Sequence, residues 1–319
     1  MRKAITLIVK AAVSGLLLYF AFKSVDLGTA MARLGQIDFR WIGLGLLLLV
    51  VQVALVTLRW HQLILRCGAE IAFALAFRFS LIAGFFNQTL PSSVGGDAVR
   101  IWLVAKQSNW RAAAYSVLLD RVVGTVALAM MVVACLPWTF ELVHNPTGRL
   151  ALLVIGPGCI GAGLVFVLLG WERLSILQRW ALTRHLAAPA AIGLAIFNAP
   201  RTLAAMFGLS FVIHFITAVA AWCAARSVGA NLPLLYSVFL VLPVVLVTVV
   251  PISIAGWGVR EAAMVAAFTY AGLPASDGLI VSLLFGAAYL ALGIAGGITW
   301  IVTIGRAERR SIPAAALDG

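Results

Sequence analysis

Six charged side chains, Asp97, Arg100, Asp120, Arg121, Arg260 and Glu261, fall within or beside long runs of Leu, Val, Ala and Ile. A charge at the centre of a bilayer costs about 2.5–3.5 kcal/mol on insertion scales, so each needs a partner or a task. Arginine makes forked contacts with phosphate and carboxylate. The acids equal the arginines in number, which leaves two chemistries open. One is a neutral ion-pair network that locks helices together. The other is a site where an arginine exchanges its acid for an anion or a lipid headgroup. Acid–base work by Asp97 and Glu261 would need a nucleophile, a base or a metal beside them, and ion pairing accounts for them more simply.

The backbone around these residues is as unusual as their charges. "NQTLPSSVGGDAVR" occupies 87–100 and "PISIAGWGVRE" occupies 251–261. Lipid provides no water for broken backbone, so such a turn must be buried in protein or line a polar cavity. The turn frees N–H groups near Ser93, Gly95 and Gly96, and again near Ser253 and Gly256. A helix N-terminus carries partial positive charge and suits anions. Pro91, Pro251 and Gly258 read as hinges, Asn87 as a hydrogen-bonding group on the entering arm. Arg100 and Arg260 are expected about one turn beyond the tips. Gln52 and His214, inside apolar runs, read as interhelical hydrogen-bonding groups.

The two stretches are copies. Residues 91–100 align without gaps on 251–260, with Pro, Ser, Gly, Val and Arg identical at five positions of ten. Arg66 and Arg226, each ending an apolar run, keep the same spacing of 160 residues.

The elements that must hold these tips follow from composition. The chain has 319 residues, is 63% hydrophobic and only 11% charged, with mean hydropathy +1.07. Runs of about 20 apolar residues, each long enough to cross a bilayer, recur throughout. The expected fold is an all-α polytopic membrane protein, a single domain over 1–319, with about six full spans and two broken re-entrant hairpins arranged as inverted repeats. A first helix and outer loop occupy 1–40. Repeat one is 41–136 with its hairpin at 79–105, and repeat two is 203–304 with its hairpin at 234–271. Between them, 137–202 holds a linking span and a basic amphipathic segment on the cytoplasmic leaflet; 305–319 is a cytoplasmic tail. Trp41 and Trp60 are expected as interface anchors of the second span. Both arms of the first hairpin, Phe79–Leu90 and Val94–Ala105, have 12 residues. The arms of the second are Leu234–Val250 and Ile254–Ala271.

The net charge of +12 is spread beside the spans, which fits the positive-inside rule and not nucleic acid. With both termini cytoplasmic, 15 Lys and Arg fall inside and 5 outside, with Arg59 among the cytoplasmic ones. The four cysteines form no C-x-x-C pair, and the four histidines show no metal-ligand spacing. No metal and no cofactor are expected, and G-x-x-x-x-G-K-[ST] does not occur.

With these two motifs and "LLDRVVG" at 118–124 in order, the chain resembles the flippase-like family named for the membrane region of lysylphosphatidylglycerol synthase. The resemblance covers nearly the whole chain. It implies a lipid flippase or amphiphile transporter, without the family's synthase part, that carries a charged-headgroup lipid through a polar site at the hairpin tips. It points to Asn87, Pro91, Gly95, Gly96, Asp97, Arg100, Asp120, Arg121, Pro251, Gly256, Gly258, Arg260 and Glu261. The expected location is the bacterial inner (plasma) membrane and the expected partners are lipid and bilayer, with homo-oligomer formation left open. The alternatives are a structural or regulatory partner of a lipid-modifying enzyme and an intramembrane headgroup transferase.

Overall fold

The computed structural model describes residues 2–23, 25, 28, 35, 37–90, 95–171, 181–249 and 256–311. Pro91, Ser93, Pro251 and Ser253 lie outside the described residues, as do 172–180. Every described element is an α-helix: α1 Arg2–Lys23, α2 Phe39–Arg66, α3 Phe73–Thr89, α4 Gly95–Ala105, α5 Trp110–Leu142, α6 Pro146–Leu168, α7 Ala181–Phe197, α8 Pro200–Ser227, α9 Leu234–Thr248, α10 Val259–Tyr270 and α11 Ala275–Ser311. Five of them, α2, α5, α6, α8 and α11, are long and apolar enough to cross a membrane. The chain is a polytopic membrane protein. The first helix, expected as a sixth span, shows a shorter apolar stretch among its described side chains, Ala11–Lys23.

Side-chain caps fix several helix starts. Asp38, Asn109 and Asn145 accept hydrogen bonds from the first-turn N–H groups of α2, α5 and α6, which would otherwise be unsatisfied. Arg149 closes the far end of α5 by donating to the carbonyls of Val143 and Phe140.

Helices α2 and α8, each of 28 residues, pack along their length. They run antiparallel, since Asp38 N–H donates to the Ser227 carbonyl at one end (2.8 Å) and Arg66 donates to the Thr202 hydroxyl at the other (3.0 Å). Around this pair the contacts occur twice over. Helix α3 packs on α4 as α9 packs on α10, and α4 packs on α5 as α10 packs on α11. In addition α3 packs on α11, and α9 packs on α5. Each hairpin is therefore braced by a long helix from the other half of the chain.

The α3–α11 seam is built on glycine. Gly293, Gly296 and Gly297 of α11 lie against Gln88, Leu81 and Phe85 of α3, so close that a β-carbon on Gly296 would meet the Leu81 carbonyl. Small residues let membrane helices approach in this way. Gly296→Val should destabilise the fold by about 1–3 kcal/mol, the usual cost of overpacking. A lowered midpoint of thermal unfolding in detergent would register it.

Several expected boundaries move. Helix α3 begins at Phe73, so Arg78 is an exposed residue inside the arm and not a polar stop before it. In the returning arm of the second hairpin the described helix starts at Val259, after Gly256 and Gly258 with positive φ of 81° and 87°; Ile254, its expected start, lies outside the described residues. Beyond 172–180, which lie outside the described residues, the segment expected on the cytoplasmic leaflet packs into the protein. In α7, Ala190 and Ile196 are buried in a core with Leu119, Phe166 and Met206. Trp60 is no interface anchor either: α2 continues to Arg66, and the indole is fully buried, donating to the Ser116 hydroxyl at 3.2 Å. Trp41 stacks edge-on against Trp222, and Arg226 lies over both rings.

Candidate functional site

The two hairpins meet at one cavity of about 730 Å³. From the first come Asn87, Gln88, Asp97 and Arg100; from the second, Gly256 and Arg260. Asp120 and Arg121 reach it from α5. Most of the charged residues singled out by sequence thus share one space.

Asp120 and Arg121 are adjacent on α5 but turn to different partners. Arg121 Nε binds Asp97 Oδ2 at 2.6 Å, tying α5 to the start of α4. Asp120 is buried and takes two arginines. Arg59 Nε binds its Oδ1 at 2.8 Å, while Arg100 Nη1 stands 3.5 Å from its Oδ2. Arg59 also donates to the Ser210 hydroxyl at 2.9 Å, and Gly124 of α5 leaves room for its guanidinium.

Arg59 was expected at the cytoplasmic end of a span, and here that expectation fails. It is 5% exposed and belongs to the interior network. The apolar "LIL" at 63–65 carries α2 onward and leaves Arg59 about 10 Å from the helix end at 1.5 Å per residue. That continuation was the signal available in the sequence. The interior therefore holds four arginines, Arg59, Arg100, Arg121 and Arg260, against Asp97, Asp120 and Glu261 among the described residues.

The second hairpin is built differently. Glu261 is fully buried and does not line the cavity. Its Oε2 accepts from Gly258 N–H at 2.7 Å, capping α10. Its Oε1 accepts from Arg260 Nη2 (2.7 Å), Arg260 Nε (3.0 Å) and the Ser282 hydroxyl (3.0 Å). Arg260 also lies over the Trp257 ring, 4.7 Å from its centroid. Because α10 starts late, Arg260 sits in its first turn, not one turn further in as expected.

Arg100 lies mid-helix and is far less committed. Apart from the long contact to Asp120, it reaches only the Ser80 hydroxyl, at 3.4 Å. Its guanidinium covers the Trp60 ring at 4.6 Å. Its Nε is buried with no hydrogen-bond partner.

Gly95 and Gly96 face the other arm and do not line the cavity. A β-carbon on Gly95 would meet Leu90, and one on Gly96 would meet the Ala83 carbonyl and Asn87. The Gly96 N–H is taken by Asn87 Oδ1 at 2.9 Å, so Asn87 satisfies the broken backbone as well as lining the cavity. Gly256 borders the cavity with open space where a side chain would be. Gly258 brings α1 close, its missing β-carbon facing the Ser14 carbonyl. Gln52 and His214 form the interhelical bonds expected of them, Gln52 to Thr217 (2.6 Å) and Tyr289 (3.1 Å), His214 to the Gly124 carbonyl (3.0 Å).

The family model described as the lysylphosphatidylglycerol synthase TM region matches residues 7–297. The chain belongs to this family. The match spans both hairpins, all four interior arginines and the helices that brace them. Membership of this family suggests a membrane function related to lipid. No curated protein matches the chain.

Proposed function

We propose that the protein carries a charged-headgroup lipid between leaflets, with the headgroup in the cavity and the tails in the bilayer. One observation carries this reading: a single cavity joins charged residues of both hairpins to apolar walls from other helices. Val126 of α5 and Phe166 of α6 stand on those walls. That division of polar and apolar lining suits an amphiphile. The volume lies within the roughly 300–1,000 Å³ usual for ligand sites.

The twofold contact pattern supports an inverted-repeat architecture in which α2–α5 correspond to α8–α11 and the two hairpins approach from opposite leaflets. The antiparallel α2–α8 pair is the expected axis of such an arrangement. Transporters of this plan place the site where broken helices meet near the midplane. In this reading both termini lie in the cytoplasm and the protein resides in the bacterial inner membrane. Transport is favoured over headgroup chemistry because each interior carboxylate is held by an arginine. A carboxylate paired in this way is already occupied as an acceptor.

The test is reconstitution in liposomes with fluorescent lipids of anionic, zwitterionic and cationic headgroup. Protein-containing vesicles should expose inner-leaflet label to a membrane-impermeant quencher faster than empty vesicles. Arg100→Ala should insert and fold but lose most of that flux. Equal rates with and without protein for every lipid would overturn the transporter reading and favour a structural partner of a lipid-modifying enzyme.

A further inference from the structure

The two halves of the site are not equivalent. Arg260 spends Nε and Nη2 on Glu261 and Ser282 and lies over Trp257, and its charge is balanced by an acid outside the cavity. That leaves Arg59, Arg100 and Arg121 facing Asp97 and Asp120, a surplus of one positive charge among the described residues. The surplus has an address. Arg59 holds Asp120 at 2.8 Å, so Arg100 keeps only a marginal share of that acid at 3.5 Å. Its Nε is buried and unpartnered. Arg121 uses Nε alone on Asp97, and 47% of its side chain is exposed at the cavity.

A buried guanidinium without full partners is costly, and forked donors fit tetrahedral oxyanions. We propose that the cavity holds one phosphate group, gripped by Arg100 with Arg121 as second donor, while Asp120 stays with Arg59 and Arg260 remains a structural lock. This deepens the lipid-carrying reading above and rests on it for the source of the phosphate. Bound phosphate offsets the surplus, with one negative charge as a phosphodiester and about 1.5–2 as a phosphomonoester. When it leaves, Arg100 falls back on its weak contact with Asp120. Trp60 lies beneath Arg100 and is placed to report the change.

The test uses the full-length protein in neutral detergent, titrated with inorganic phosphate, dihexanoyl phosphatidic acid and dihexanoylglycerol. Binding is read by calorimetry and tryptophan fluorescence. Phosphatidic acid should bind and dihexanoylglycerol should not; binding by phosphate alone, equally tight, would assign the site to the free ion. Arg100→Gln should weaken binding about 10–100-fold, and Arg100→Lys, which keeps the charge and loses the fork, should fall between. Arg121→Gln, at a half-exposed position, should weaken it about tenfold and serves if Arg100→Gln does not fold. Equal affinity for dihexanoylglycerol, or unchanged affinity in folded Arg100→Gln and Arg121→Gln proteins, overturns the proposal. Phosphate binding without lipid movement in liposomes leaves this site standing and removes the transporter reading. Lipid movement indifferent to a phosphate group does the reverse.

Discussion

Asp120→Asn should cost about 3–5 kcal/mol of stability, the range for removing one partner of a buried ion pair. The substitution keeps the shape and removes the only carboxylate in contact with Arg59 and Arg100 among the described residues. Both guanidinium groups are largely buried, with side-chain exposures of 6% and 12%. Neither keeps a carboxylate partner among the described residues, and α2, α4 and α5 lose the charge that joins them. The expected readout is a sharply lowered unfolding midpoint in detergent, with reduced yield. A second substitution separates charge balance from simple damage. Asp120→Asn with Arg59→Met restores the charge count and replaces the tighter ion pair with packing, which is often close to neutral for buried pairs. The double variant should recover much of the lost stability, and the double-mutant cycle should show strong coupling. Additive losses would mean that the pair does not hold these helices.

Glu261→Ala is the second large effect, also expected at about 3–5 kcal/mol. One carboxylate here serves Gly258 N–H, two nitrogens of Arg260 and the Ser282 hydroxyl. Its loss leaves Arg260 uncompensated and the first turn of α10 uncapped. Glu261→Asp should fail nearly as badly, because the shorter side chain cannot span the cap and the guanidinium together. Arg260→Met with Glu261→Gln should be better tolerated than Glu261→Ala, because no charge is stranded and the amide oxygen still caps Gly258. Trp257 fluorescence, sensitive to the overlying guanidinium, and monodispersity on gel filtration are the measurements. If Glu261→Ala folds as well as the parent, the carboxylate is not the lock described.

Much of this architecture was legible because membrane sequences expose their exceptions. Asp97, Arg100, Asp120, Arg121, Arg260 and Glu261 stood out against apolar surroundings, and the structure pairs all of them. The repeated tips could be aligned because Pro, Gly and Arg recur at one spacing. Arg59 was misplaced because a basic residue near a span end has an ordinary explanation, and only the apolar residues after it argue otherwise. Trp60 was misread for the same reason. The inequality of Arg100 and Arg260 was hidden, since an ungapped alignment assigns them one position. The positive φ of Gly256 and Gly258 delays α10 and puts Arg260 in its first turn. Partner distances also do not follow from sequence: nothing in "LLDRVVG" says that Asp120 favours Arg59 over Arg100.

The bracing of each hairpin by the opposite half bears on how the protein is made. Helix α3 depends on α11 for its glycine seam, and α11 follows it only after the chain from Leu90 to Pro274 has been made. At roughly 5–20 residues per second, the first hairpin waits on the order of ten seconds for that support. During this interval Asn87 and Asp97 already have local partners on α4 and α5, while the outer face of α3 meets only lipid or the insertion machinery. The second hairpin has no such delay, because α5 is in place before α9 is synthesised. Biogenesis is therefore asymmetric even though the finished contacts come in pairs, and truncation anywhere before α11 strands the half of the site that was built first.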